Sequence, residues 1–233
     1  MDVQSLINSA IEEESHTAPL ASDRKPLPGG SVLFRGMELR GFTSPEQELL
    51  RAFISRIPPE LILNVEQVEA SPDLNAIHGR YDNTTKTIFF NPKTFNSKVF
   101  LGRGSGKIQH AQLTIVHEFG HALYLALPEV LRDRWRELSG WMLGTQDGQA
   151  PPYEEKRPGW EHKTSKWTHR QGVTFTRHYA EKNDGEDFAD TFAFCLLSKP
   201  AQAGNAKRRW MSQLLMQMIR KYPKASIEGP VKD

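Results

Sequence analysis

The 233-residue chain has one cysteine, Cys195, which excludes an internal disulfide framework and any cysteine-based zinc knuckle. It also lacks an apolar run approaching the ~18 residues of a membrane-spanning helix, so no membrane span is expected. Charge of one sign is missing too. Thirty basic against 28 acidic side chains leave a net charge of +2, which argues against nucleic-acid or membrane binding driven by overall charge. The first 16 residues carry Glu12, Glu13 and Glu14 instead of a basic start followed by an apolar stretch. The expectation is a protein made soluble in the cytoplasm, with any export being leaderless. What remains is ordinary for a globular protein: 38% hydrophobic and 25% charged residues, enough for one sizeable core.

Residues 1–30 read as a flexible N-terminal tail and 223–233 as a C-terminal one, around a single domain at 31–222. Ser44-Pro45-Glu46-Gln47 reads as a helix start with Ser44 as cap, and Leu49, Leu50, Phe53, Ile54 and Ile57 continue it until Pro58-Pro59. Residues 61–69 suit a strand. Ile77–Tyr81 and Thr87–Phe90 form a hairpin about Asp82-Asn83-Thr84-Thr85. Helical patterns cover 109–126, 128–143, 184–198 and 206–221. The polar stretch 144–175 is a surface insertion, whose aromatic residues form either a substrate wall or a satellite core.

The glycine-rich loop at 96–107 is a connector. A Walker A loop needs glycine and a hydroxyl residue where Leu101 and Ile108 stand, and Lys107 occupies the last glycine position of a dinucleotide fingerprint.

The chemistry lies in His117-Glu118-Phe119-Gly120-His121, an HExxH motif. Helical positions i and i+4 differ by about 40° around the axis and about 6 Å along it, so both imidazoles can grip one metal ion. Glu118 stands beside them to hold the attacking water and serve as general base. Leu113, Ile115, Val116, Ala122, Leu123 and Leu125 make the helix apolar, and three ionisable groups in such a helix need a reason.

A catalytic zinc needs a third protein ligand and an open position. Tyr124 and Leu127 occupy the glycine and histidine positions of the extended three-histidine motif, so the third ligand lies elsewhere. Glu186 is the best candidate, with Glu129, Glu137 and Glu181 in reserve. Asp190, four residues after Glu186, shares its helix face and can accept a ligand histidine's N–H. Asp187 reads as an acid favoured by the helix N-terminus.

HEFGH, followed by Tyr179 seven residues before Glu186 and by Glu-x-x-x-Asp within EDFADTFA, resembles the gluzincin peptidases around the anthrax lethal factor catalytic domain and the Pro-Pro endopeptidases. The resemblance spans residues 44–221, and only 117–121 and 179–190 carry specific motifs. It implies an α+β, zincin-like fold: a small twisted sheet, the HExxH helix and a second ligand-bearing helix. It further implies one zinc ion per chain on His117, His121 and Glu186, Glu118 as general base, Tyr179 as oxyanion donor, and a protein or peptide substrate. Family members usually carry glutamate where Asp190 stands, and the insertion between the motifs leaves the substrate cleft unassigned.

The expected function is therefore zinc-dependent endopeptidase. Its alternatives are, among enzymes, a zinc hydrolase of a non-peptide amide or a regulatory protease with one intracellular target, and, from another class, a zinc-stabilised, non-catalytic binding or structural protein. An extended peptide would pair with a sheet edge at Thr87–Phe90. His110 lies at a wet helix start, one heptad before His117. His78, His162, His169 and His178 read as surface or loop residues, with His178 a candidate for lining the cleft. Cys195 reads as a buried thiol, and Lys207, Arg208, Arg209, Arg220, Lys221 and Lys224 as a solvated basic face, with nucleic acid or an acidic partner as the lesser reading.

Overall fold

A computed structural model describes residues 31–62, 64–72, 74, 78–95, 100–101, 108–143, 160–162, 167–170, 172–197 and 204–221. Both expected tails, the loop core at 102–107 and much of the 144–175 segment lie outside the described residues.

The described chain opens on a hairpin not among the expected elements: β1 (Val32–Phe34) and β2 (Met37–Arg40). Its two-residue turn, Arg35-Gly36, has φ of 51° and 80°, the left-handed pair of a type I′ turn. The Arg35 guanidinium donates to the carbonyls of Ile54 and Ile57 at 3.0 and 2.6 Å. It thereby ties the β1–β2 turn to carbonyls at and just beyond the end of α1 (Ser44–Ile54). Thr43, one residue ahead of the expected Ser44, caps this helix: the Glu46 carboxylate accepts the Thr43 N–H and hydroxyl, each at 2.8 Å.

Proline shortens the strand expected at 61–69. Pro59–Leu61 turn as a 3₁₀ helix, and β3 is only Gln67–Ala70. The hairpin of β4 (Gly79–Asp82) and β5 (Thr87–Phe90) stands as expected, its turn nucleated by Asp82 Oδ1, which accepts the Thr84 N–H at 2.8 Å. These strands form one mixed sheet in the order β1-β2-β3-β5-β4, parallel at β2/β3 and β3/β5. Thr87–Phe90 is therefore not an edge. Its other side is taken by β3, from Gln67 opposite Thr87 to Ala70 opposite Phe90, and among the described strands the outer positions belong to β4 on this side and β1 on the other.

Strands β6 (Phe100–Leu101) and β7 (Ile108–Gln109) pair across the glycine-rich loop and lead into α2 (His110–Ala126). Helix α3 (Glu129–Ser139) stops short of the expected 143 because Gly140 takes φ of 73° and donates back to the Arg136 and Glu137 carbonyls. A three-stranded sheet follows in the order β8-β10-β9, with β8 at Trp141–Leu143, β9 at Trp160–His162 and β10 at Trp167–Arg170. Helices α4 (Asp184–Leu196) and α5 (Asn205–Lys221) complete the fold.

The architecture is α+β. One core joins Leu39, Val68 and Ile88 of the sheet to Leu50 of α1, Phe119 of α2, Phe192 of α4 and Met211 of α5. A satellite core of Trp141, Phe175 and Ala180 lies under the small sheet. His169 of β10 is buried against it, with ring centroids 5.3 Å from Trp141 and 5.0 Å from Phe175, which corrects the surface expectation for that residue. Among the described residues no helix is long and apolar enough to cross a membrane.

Candidate metal centre

Helices α2 and α4 lie side by side and bring the two sequence motifs together. Their closeness depends on Gly120: a Cβ there would sit 2.8 Å from the Ala189 Cα and 3.1 Å from its carbonyl oxygen. On the facing surfaces, His117 Nε2 and His121 Nε2 lie 3.0 and 3.2 Å from one atom, Glu186 Oε2. The two imidazole rings are 4.6 Å apart at 88°.

Asp190, fully buried, accepts from His117 Nδ1 at 2.8 Å. That bond places the ring proton on Nδ1 and leaves Nε2 of a neutral imidazole as a lone pair. The lone pair then faces a carboxylate oxygen, so two acceptors meet unless a cation stands between them. Without a metal, that cation is a second proton. Burial would depress the His117 pKa, but the hydrogen bonds to Asp190 and Glu186 and the nearby carboxylate charges prevail and push it up to about 10. Burial would likewise raise Glu186, yet both histidines hold its carboxyl far below the usual range. The ligand atoms of His117, His121 and Glu186 all lie within 4.8 Å of one another, so the trio can hold a metal ion.

Behind the trio, each acid at the start of α4 has its own partner. Arg177 grips Asp190 with Nε at 2.6 Å and Nη2 at 2.7 Å. Asp187 is wholly buried and accepts from Lys207 Nζ at 2.7 Å and Trp141 Nε1 at 3.0 Å. It is thus a core anchor and not only an acid at a helix N-terminus. Lys207 is buried with it, which removes it from the expected solvated face; Arg208, Arg209 and Arg220 remain exposed. Asp184 accepts from Tyr124 Oη and, at 2.7 Å, from Arg136 Nε. Asn183 caps the helix by accepting the Glu186 N–H at 2.9 Å.

Glu118 is buried beside the trio, its side chain packed against Gly79 of β4. Burial raises its pKa. Gly79 makes the seat, since a Cβ there would lie 2.8 Å from Glu118 Cγ. Tyr179 stands in a 3₁₀ turn (His178–Lys182), its ring 5.8 Å from that of His117. Its side chain is partly exposed, and the burial it has raises its pKa, as does the nearby Glu186 charge. The Lys182 Nζ lies 3.6 Å and the Arg177 Cζ 4.9 Å from its ring centroid.

The structure thus brings together His117, Glu118, His121, Tyr179, Glu186 and Asp190. The reserve ligands stay out: Glu129 and Glu137 pair with arginines on the outer face of α3, and Glu181 lies 3.3 Å from the exposed His178. His162 has no described side chain. Cys195 is half-buried at the core margin with its thiol pKa raised by burial. Sequence reasoning missed Arg177, Lys207, Gly79 and Gly120. Of these only Gly120 left a signal, as a glycine in the middle of an apolar helix. A separate cavity of about 710 Å³ lies between α3 and β8, lined by Glu129, Asp133, Arg136, Trp141 and Arg170 among others. It holds none of the metal-site residues. No protein-family model, curated protein or solved structure matches the chain significantly.

Proposed function

We propose that the chain is a zinc-dependent endopeptidase with a zincin-like fold, a gluzincin of the kind its motifs resemble. The observation that carries this reading is the convergence of His117 Nε2 and His121 Nε2 on one Glu186 oxygen. Two imidazoles and one carboxylate suit a catalytic zinc, which keeps three protein ligands and an open position. One zinc ion bound there would supply a Lewis acid that polarises the scissile carbonyl and acidifies water.

The remaining work falls to the chain's own side chains. Asp190, held by Arg177, fixes the His117 ring so that its Nε2 lone pair faces the site. Glu118 is close to the trio without belonging to it, and its raised pKa brings it nearer neutrality. Its carboxylate accepts the proton of the attacking water and later releases it to the leaving amine. The Tyr179 phenol, whose ring stands 5.8 Å from that of His117, donates to the carbonyl oxygen as negative charge develops on it. The substrate backbone pairs with the open edge of β4, which runs past Gly79 and Glu118.

The test is cleavage of a peptide library by the zinc-loaded chain, with Glu118→Ala as the blank. Cleavage by the wild type and none by the variant, at equal zinc content, supports the proposal. Zinc in both and cleavage in neither would favour the non-catalytic alternative.

A further inference from the structure

His110 opens α2, and its ring meets that of His78, the residue just ahead of β4. Their centroids are 4.5 Å apart and their planes at 75°, close to the 4.6 Å and 88° of the His117–His121 pair. His110 Nδ1 is closed off from solvent and has no hydrogen-bond partner among the described residues. A buried polar atom left without a partner is destabilising.

The tautomer of His78 follows from Thr94. The Thr94 hydroxyl donates to the His78 carbonyl at 2.9 Å and can accept only from His78 Nδ1–H, at 3.4 Å. The lone pair of His78 is therefore on Nε2. Burial first, and the nearby Arg177 charge, lower the His110 pKa and so favour the neutral ring, the form in which imidazole binds metals. The Arg177 guanidinium is itself paired with Asp190.

We propose that His78 and His110 form a second, weaker site for an imidazole-preferring divalent ion, of the zinc, nickel or copper type, at the N-terminal end of α2. An ion there gives His110 Nδ1 the partner it lacks. With two protein ligands instead of three, the other positions are left to water on the exposed His78 side. Seven residues separate His110 from His117, about 10.5 Å along the helix, so this site is distinct from the trio. The inference does not depend on the proposed peptidase activity.

Equilibrium dialysis of the full chain against Zn²⁺ tests it. The wild type should take up two ions, one tight and one weak. His78→Ala and His110→Gln should each keep the tight ion and weaken the other by at least about tenfold, ~1.4 kcal/mol. His121→Ala should weaken the tight ion and keep the weak one. The ring-nitrogen NMR signals of His78 and His110 should move with the second equivalent only. A wild type that stops at one ion at millimolar Zn²⁺ would overturn the proposal. So would a second ion that binds equally well to both variants. His78 is exposed, so His78→Ala decides the matter even where His110→Gln folds poorly.

Discussion

Gly120 on α2 lies so close to Ala189 on α4 that no other residue fits between the helices without moving them. The contact sets the distance over which His117 and His121 reach Glu186. Gly120→Ala should cost about 1–3 kcal/mol through overpacking. Zinc affinity should fall with it, because the third ligand moves away from the other two. Thermal melting and metal titration of the variant check both. Unchanged zinc binding would show that the helix spacing is not what sets the site.

Gly79 and Glu118 stand in a similar relation across the β4 edge. Gly79→Ala should push the Glu118 carboxylate off its seat, lowering turnover while leaving zinc bound. Glu118→Ala should retain zinc and lose peptidase activity altogether. Metal analysis alongside a peptide assay separates the effects, and loss of zinc in Glu118→Ala would make that residue a ligand.

Tyr179→Phe keeps the ring against His117 and removes the phenol. If the hydroxyl serves the transition state, kcat should fall by roughly 10²–10³ with folding and zinc content nearly unchanged. A kcat within about twofold of wild type would leave Tyr179 a packing residue.

The Lys207–Asp187 pair should dominate the stability of the α4–α5 contact. Burial opposes the Asp187 charge so strongly that, even beside Lys207, its pKa is pushed up to about 6. Lys207→Met leaves that carboxylate uncompensated and should cost about 3–5 kcal/mol. Lys207→Met combined with Asp187→Leu should recover much of the loss, as chemical denaturation of the three variants would reveal.

Chelation should lower the melting temperature, and zinc should restore it. At 100-fold excess over Kd the stabilisation is ~2.7 kcal/mol. His121→Ala should melt at nearly the same temperature with and without added zinc. A wild-type melting temperature indifferent to chelator would argue against metal binding at the trio.

The parts of this molecule legible in the sequence are those encoded by local spacing. HExxH fixes its own geometry because four residues make about one helical turn, and Glu186 and Asp190 follow the same rule. The α1 helix and the β4–β5 hairpin announce themselves by caps and turn residues. Sheet order is not local. Nothing within Thr87–Phe90 says that β3 will lie beside it, so the wrong strand was expected at the edge. The β1–β2 hairpin rests on Arg35, whose left-handed backbone is held by side-chain bonds to chain 19 and 22 residues away. Lys207 reads as solvated beside Arg208 and Arg209, and only the tertiary fold supplies its buried acid. Arg177, two residues ahead of Tyr179, looks like any loop arginine until Asp190 is placed against it.

From fewer than two turns of α4, Asp184 reaches Tyr124 and Arg136, Asp187 reaches Lys207 and Trp141, and Glu186 and Asp190 meet on opposite nitrogens of His117. Each residue inserted or deleted in a helix rotates everything beyond it by about 100°. A single-residue length change between Asp184 and Asp190 therefore breaks several of these links at once, and no one compensating substitution restores them. This stretch can drift in sequence only by replacement, never by change of length. In a deep mutational library its indels should be depleted far more than its substitutions at the exposed positions of α5.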